Sequence, residues 1–285
     1  MKELLLHPQT EQAVHRIVEA SPHALLILGP KGSGKGTLAH MLAGKLLGVD
    51  DPQSYAYFHL VSPESTSVTI EQIRELNAFM RLKVPGQASV RRVAYIQQAD
   101  SMTIEAQNAL LKLLEEPPLG TVILLSAESP RNILPTIHSR VQTVTLLAPT
   151  KEAAREYFGQ YSAQELERAY NLSNGQAGLL TALLEESDDH EVAKSISDAK
   201  KLYTQTAFER LAQVEQLAKQ KVIAVDLVYA CKRIASSGLQ QAAAKGQVKL
   251  ANAWKGRLEH ILEAESALSM NANTKLVLTD LFVNL

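Results

Sequence analysis

The sequence is poor in cysteine and in aromatic residues, and it carries almost no net charge. Among its 285 residues there is one cysteine, Cys231, which excludes an internal disulfide and a cysteine-rich zinc module. A net charge of −1 provides no general attraction to nucleic acid, so any contact with DNA has to be local or shared with partner chains. The histidines show no metal-ligand spacing, and no Ser/His/Asp arrangement indicates a hydrolase. We therefore predict no metal site.

Long apolar runs are also missing. None approaches the roughly 20 residues that a membrane-spanning helix needs. The N-terminus, which begins Met1-Lys2-Glu3, lacks the apolar core and the cleavage site of a signal peptide. We therefore expect a cytoplasmic protein that has no membrane partner.

What is present is a globular composition, 46% hydrophobic and 21% charged, on a length that suits two or three domains. In the first half, apolar runs of strand length alternate with stretches of helical spacing, which predicts an α/β fold with a mostly parallel sheet. The predicted strands are Ala24 to Leu28, Tyr57 to Val61, Val93 to Ile96 and Thr121 to Leu125. After Pro149 the pattern is helical. Two apolar stripes predict core positions there: Ala251, Trp254, Leu258, Ile261 and Leu262, and then Leu278, Leu281, Phe282 and Leu285.

A glycine-rich loop, Gly29–Lys35, follows the first predicted strand and precedes a predicted helix, Thr37 to Leu47. This is the context of a phosphate-binding loop, in which glycines let backbone N–H groups converge on phosphate oxygens and a lysine neutralises their charge. The candidate residues are Gly29, Gly32, Gly34, Lys35 and Thr37. Weak binding of ATP or ADP is compatible with these residues, and the sequence requires no cofactor.

The position after the lysine departs from this pattern. A serine or threonine hydroxyl should stand there to hold Mg²⁺, but the residue is Gly36. Thr37 carries a hydroxyl one residue later, and a one-residue step on a helix rotates a side chain by about 100°. Thr37 therefore cannot simply replace the missing ligand.

ATPases that contain a phosphate-binding loop have a second motif, and this sequence departs from that motif as well. A buried strand should end in an aspartate that orders Mg²⁺, followed by a glutamate that activates water, yet Val93–Ile96 is followed by Gln97 and Gln98. Glutamine is neutral, so it neither balances a divalent cation nor accepts a proton usefully. Asp100 comes three positions too late and is better placed to cap or turn the chain. We predict that the chain does not hydrolyse ATP.

Five segments in order carry a resemblance to a known family. They are Val68–Leu76 (VTIEQIREL), Asn108–Pro118 (NALLKLLEEPP), Thr121–Leu125 (TVILL), Leu134–Val141 (LPTIHSRV) and Asn271–Leu278 (NANTKLVL). This series resembles the AAA+ clamp-loader subunits of bacterial DNA polymerase III, over about residue 22 to the end. The departure is Val141, where the family pattern has a cysteine.

The resemblance implies three regions: a RecA-like AAA+ domain over residues 1–149, an all-α lid over 150–189 and an all-α collar over 190–285 that assembles subunits into a ring. It also implies the partners, which are the gamma or tau subunits, the delta subunit, the sliding clamp and, through the complex, primer-template DNA. The chain would then be a component of the DNA polymerase III holoenzyme.

Within the family, the sequence is more similar to the delta-prime branch than to gamma or tau. Gamma-type chains carry four zinc-binding cysteines after the phosphate loop, and Leu46 to Pro63 has none, so no zinc is expected. In the lid, Ser173–Gly178 resembles the family's glycine-containing turn, but Leu179 replaces the arginine that senses nucleotide. The strand-end polar sensor is likewise replaced by Ala127–Ser129. The resemblance implies a rigid, non-hydrolysing stator.

Arg140 is the one residue to which the resemblance assigns a chemical role. The matching arginine in clamp loaders projects onto the ATP that a neighbouring subunit binds, where a planar, always-charged donor stabilises the transferring phosphoryl group. The alternative is a solvated surface arginine. Two other functions remain open: an ATP-hydrolysing gamma/tau-like subunit, against which Gln97 and Gln98 argue, and a nucleotide kinase, which leaves the C-terminal helices unexplained.

Overall fold

The fold is that of a computed structural model, in which residues 4–64, 66–186 and 190–285 are described. The chain divides into two compact units. The first consists of Met1–Phe158 with Gln176–Gly178, and the second of Gly159–Gly175 with Leu179–Leu285. Over the described residues, the first unit contains two hydrophobic cores and the second contains one. Among the described residues, no helix combines the length and the apolarity that crossing a membrane requires.

The first unit is built on a five-stranded sheet, counted over the described residues, in which every strand runs parallel to its neighbours. The strands are β1 (Ala24–Leu28), β2 (Phe58–Val61), β3 (Arg92–Ile96), β4 (Thr121–Ala127) and β5 (Gln142–Thr145). Their order is β2-β3-β4-β1-β5, so the carboxyl ends of β1, β3 and β4 meet at one edge of the sheet. The four predicted strands are confirmed. The sequence pattern does not predict β5, because Val144 is its one buried residue.

Helices cover both faces of this sheet. They are α1 (Pro8–Ala20), α2 (Lys35–Leu47), α3 (Ile70–Met80), α4 (Ile104–Glu115), α5 (Pro135–His138) and α6 (Lys151–Tyr157). Side chains of α1 and α2 form one core with Leu25 and Ile27 of β1. Side chains of α3, α4 and α5 form the other core with Leu26. This alternation along β1 is expected, because successive residues of a strand face opposite sides.

The second unit is helical. Its elements are α7 (Ala163–Ser173), α8 (Ala177–Leu184, whose residues from Leu179 onward belong to this unit), α9 (Glu191–Thr204), α10 (Ala207–Ala212), α11 (Val214–Ala218), α12 (Lys221–Ala244), α13 (Val248–Ser269) and α14 (Thr274–Asn284). The predicted C-terminal stripe of Leu278, Leu281, Phe282 and Leu285 is buried. The α13 stripe is confirmed at Ile261, which is fully buried, but Leu262 is 46% exposed. Leu262 follows Ile261 by one residue, and that step turns it away from the core.

Candidate functional site

The glycine loop, defined as Gly29–Lys35, connects β1 to α2, as the sequence predicts. Gly32 and Gly34 adopt φ values of 88° and 92°, a left-handed conformation that glycine takes without strain. Gly34 is the N-cap of α2, so the loop lies at the positive end of the helix dipole. Gly29 donates from its backbone nitrogen to the carbonyl of Ala127 at the end of β4 (3.1 Å). This geometry is that of a phosphate-binding loop.

Lys35 folds back onto the loop from which it emerges. Its Nζ donates to the carbonyl oxygens of Gly29 (2.7 Å) and Pro30 (3.0 Å). Burial lowers the pKa of this ammonium group, while the nearby carboxylates of Glu128 and Asp100 act in the opposite direction. Lys35 therefore satisfies part of the loop's own backbone in this conformation.

Two side contacts keep the glycine loop tightly packed. A Cβ at Gly29 would stand 2.7 Å from Ser33 Oγ, an oxygen that is buried and has no hydrogen-bond partner among the described residues. A Cβ at Gly178, which belongs to the same compact unit, would stand 2.9 Å from Gly32 O and Gly34 N. A side chain at position 178 would therefore displace the loop backbone, whereas one at position 29 would displace the Ser33 side chain.

The position of the missing metal ligand has room for a side chain. A Cβ at Gly36 would have one neighbour within 4 Å, Tyr95 Oη at 3.8 Å. Tyr95 is buried, and its hydroxyl is hydrogen-bonded to Ser126 Oγ at 3.0 Å. Thr37 is exposed at the start of α2. Space therefore does not explain the absence of a hydroxyl side chain at position 36, since such a side chain would fit there.

The two glutamines stand where β3 ends, as predicted, but they do not act together. Gln97 accepts a hydrogen bond from Ser62 Oγ through Oε1 (3.0 Å), so its amide is directed to the segment after β2. Gln98 is exposed and has a φ of 49°. Neither side chain can carry a negative charge, so with Gly36 they do not fit a divalent cation. Among the described residues, no group of three or more His, Cys, Asp or Glu side chains is arranged to hold a metal ion.

Asp100 has a different role from a local cap. It lies in the short 3₁₀ helix Ala99–Ser101, and its Oδ2 accepts hydrogen bonds from the backbone nitrogens of Glu128 (3.0 Å) and Ser129 (3.2 Å). The carboxylate thus anchors the loop after β4, in the stretch where the family's polar sensor would lie. Leu179, at the position of the sensing arginine, is fully buried in the core of the helical unit.

Arg140 follows α5 and is 34% exposed at its side chain. Its Nη1 donates to the carbonyl of Thr136 (2.9 Å) and to Ser139 Oγ (3.1 Å), and its Nη2 donates to Glu115 Oε1 (2.7 Å). Sequence reasoning did not single out Glu115, which lies in the matched segment Asn108–Pro118. The guanidinium is therefore hydrogen-bonded within the chain at both terminal nitrogens, and about a third of the side chain is exposed.

Gln107 of α4 is a second residue that the sequence did not indicate. It is 3% exposed, and its Nε2 donates to the carbonyls of Asn132 (2.9 Å) and Met102 (3.2 Å). Its Oε1 accepts from the backbone nitrogen of Leu134 (2.8 Å). One buried amide thus fixes the chain that enters α5. A glutamine in a helical run has no sequence signal that distinguishes this role.

Comparison with known proteins gives consistent results. A family model described as DNA polymerase III, delta subunit, matches residues 7–150, which is 144 of the 285 residues. DNA polymerase III subunit delta' of Haemophilus influenzae is 32% identical over 205 residues, covering 64% of this chain and 62% of that protein. The protein of the same name from Bacillus subtilis is 30% identical over 217 residues, covering 70% and 64%. The chain therefore spans less than two thirds of the length of these curated relatives.

A solved structure shares the fold over nearly the whole chain. It is a DNA polymerase III gamma subunit-related protein from Thermotoga maritima, with a TM-score of 0.55, 20% identity and coverage of 96% of this chain and 97% of that one. At this identity the likeness shows the fold alone. It confirms the predicted class of fold, an α/β domain with a parallel sheet followed by helices. The boundaries predicted for the lid and the collar, 150–189 and 190–285, stay a prediction.

Proposed function

Because the chain belongs to the DNA polymerase III delta-subunit family, we propose that it is a non-hydrolysing stator subunit of the polymerase's clamp loader. In this role it assists the ATP-dependent loading of the sliding clamp onto primed DNA. Its proposed partners are the gamma or tau subunits, the delta subunit, the clamp and, through the complex, primer-template DNA. The curated relatives named as subunit delta' support this proposal.

The main support for the proposal is that the loop has the geometry of a phosphate-binding loop but lacks a metal ligand and a general base. The glycine loop keeps its strand–loop–helix setting, whereas Gly36, Gln97 and Gln98 provide no metal ligand and no general base. Phosphoryl transfer depends on positioning and on electrostatic stabilisation by Mg²⁺. A loop without those groups has at most a weak affinity for ATP or ADP and no means to hydrolyse it. The same residues argue against a gamma/tau-like hydrolysing subunit.

Through Arg140, the proposed stator contributes to ATP hydrolysis by an adjacent subunit. A guanidinium has five N–H donors, and the three hydrogen bonds that it makes within the chain involve Nη1 and Nη2. With a third of its side chain exposed, it retains donors for the phosphates of an ATP bound by an adjacent subunit. We infer that Arg140 is an arginine finger acting in trans.

The test is reconstitution with purified gamma or tau and delta subunits. We expect the complex to require this chain for clamp loading, while the chain alone shows no ATP hydrolysis above background. The control is Lys35→Ala, which removes the lysine of the glycine loop. Mg²⁺-dependent turnover by the isolated chain that disappears in the Lys35→Ala variant would contradict the proposal.

A further inference from the structure

Helix α4 contacts both ends of the finger segment, which we define as residues 132–140. At the entry to α5, the buried amide of Gln107 bonds Asn132 and Leu134, as described above. At the exit, Glu115, the last residue of α4, bonds the guanidinium of Arg140 at 2.7 Å. Ile137 between them is fully buried in the core that α4 helps to form. The backbone of the segment is therefore fixed, and the direction of the Arg140 side chain is the remaining freedom.

The contact with Glu115 restricts that freedom. An arginine side chain loses considerable rotamer entropy when it is ordered, and a planar fork that is already oriented loses less when it forms its next bonds. In this chain the fork is bonded at both terminal nitrogens, to Glu115 on one side and to Thr136 and Ser139 on the other. The Glu115 side chain is 50% exposed, and an exposed ion pair contributes little to folding stability. The main consequence of the Arg140–Glu115 pair is therefore that it orients the guanidinium.

We propose that Glu115 is a positioning residue, which holds the guanidinium of Arg140 in the orientation in which it meets the phosphates of a nucleotide bound by the adjacent subunit. This inference rests on the proposed trans-acting role of Arg140. Glu115 does not touch the nucleotide; it acts through Arg140 alone. Gln107 supplies the rigid base from which the arginine extends.

The experiment compares reconstituted clamp-loader complexes that differ only in this chain. The DNA-stimulated ATPase rate with wild type minus the rate with Arg140→Ala defines the Arg140-dependent increment. The test variant is Glu115→Gln, which keeps the size of the side chain and removes its charge. The matched control is Glu116→Gln, which removes the same charge one residue later, from an exposed side chain that forms no hydrogen bond or ion pair with Arg140.

We expect Glu115→Gln to lower the Arg140-dependent increment by about twofold to fivefold, the range that an exposed charged pair supports, and Glu116→Gln to leave it unchanged. Glu115→Gln combined with Arg140→Ala should match Arg140→Ala alone, because Glu115 has no effect without the arginine. The difference between wild type and Glu115→Gln should shrink as salt is raised, since salt screens an exposed pair. A purely structural role of Glu115 predicts a further loss in the double variant.

The outcomes separate this inference from the function on which it rests. If Arg140→Ala complexes match wild type, both the finger and its positioning are refuted. If Arg140→Ala lowers the rate while Glu115→Gln keeps the full increment or raises it, the finger stands and the positioning role is wrong. An additional loss in the double variant would likewise overturn it.

Discussion

At the scale of single residues, the candidate site has the backbone geometry of a phosphate-binding loop but lacks the hydroxyl and carboxylate groups of the ATPase pattern. Gly36 leaves room for the hydroxyl side chain that is missing, and Gln97 and Gln98 are still polar residues at the end of β3. Asp100 remains charged but is engaged with the backbone of Glu128 and Ser129. The geometry of the loop therefore depends on backbone conformation and apolar packing, and the residues at these three positions are not needed to maintain it.

Arg140→Ala should leave folding nearly intact and lower the ATPase rate of the whole clamp loader. Arginine fingers contribute on the order of 10³ to 10⁵ in rate at the site that they complete. Other sites in the ring still turn over, so we expect a partial loss in total rate. Arg140→Lys should restore little, because an ammonium group lacks the bidentate fork.

Clamp- and DNA-stimulated ATP hydrolysis by reconstituted complexes measures this effect. Arg131→Ala is the control, since Arg131 is an exposed arginine that precedes α5. Wild-type rates of hydrolysis and clamp loading with Arg140→Ala would mean that Arg140 is a solvated surface residue.

Cys231 predicts a loss of stability at alkaline pH. Burial raises the pKa of this thiol from 9.0 to about 12. Below pH 9 the thiol is protonated in both states, and above it only the unfolded chain releases the proton, so the free energy of unfolding falls until about pH 12. The loss at pH 10 is on the order of 1 kcal/mol.

Urea unfolding of wild type and Cys231→Ala at pH 8 and pH 10 isolates this contribution. Burial also raises the pKa of Tyr203, with a smaller contribution from Cys231. Because burial is the larger cause and remains in Cys231→Ala, we expect folded Tyr203 to stay protonated at pH 10 in both proteins. The difference in stability between the two proteins should change by roughly 1 kcal/mol between these pH values. A pH-independent difference would show that the thiol is not protected by the fold.

At the scale of secondary-structure elements, close approach of α12 and α13 organises the helical unit. Gly238 of α12 faces the ring of Trp254 of α13, and a Cβ at Gly238 would stand 2.5 Å from Trp254 Cε2. Arg257 lies 5.0 Å from the Trp254 ring and 5.9 Å from the ring of Tyr203, so the indole is surrounded. The helices can pack at this distance because position 238 has no side chain.

Gly238→Ala should therefore destabilise the helical unit by about 1–3 kcal/mol, the usual cost of overpacking a dense core. Gly256→Ala on α13 is a matched control, because a Cβ there meets no atom within 4 Å. Since alanine favours helix over glycine, this second change should stabilise by up to about 1 kcal/mol. Thermal unfolding of both variants gives the answer, and a stabilising Gly238→Ala would refute the described packing.

At the scale of the whole molecule, the helical pattern alone does not reveal how the chain is divided between the two units. Leu179 and Ala182 lie in the same core as Ile196, Val228 and Leu278. The segment predicted as a lid, 150–189, therefore contributes to a core whose other residues come later in the chain. A fragment that ends at 189 would separate these partners.

We expect the fragment 1–158 to be soluble and folded, because it contains the sheet and both of its helical layers. The fragment 1–189 should bind a hydrophobic dye and aggregate, since it exposes Leu179, Ala182 and their neighbours. Circular dichroism, dye fluorescence and size-exclusion chromatography compare the two. Equal solubility and equal dye binding would indicate that residues 159–189 form a core of their own.

The sequence by itself determined the class of fold and the chemical deficit of the candidate site. Apolar runs at 24–28, 93–96 and 121–125 specify buried parallel strands because their residue types favour such positions. The absence of a hydroxyl at Gly36 and of carboxylates at Gln97 and Gln98 is a property of composition at known spacings, so no structure is needed to detect it. The edge strand β5, with a single buried residue, escapes this kind of reasoning.

Only the tertiary structure decided which polar groups meet. Asp100 bonds Glu128 from 28 residues away, and Arg140 bonds Glu115 from 25 residues away. Gln107 reaches Leu134 over a similar separation of 27 residues. No local periodicity encodes such pairs, because they form when packed elements bring distant residues together. Side-chain contacts of this kind depend on how α4 and α5 pack on the sheet, and the sequence pattern specifies that they pack but not which atoms come into contact.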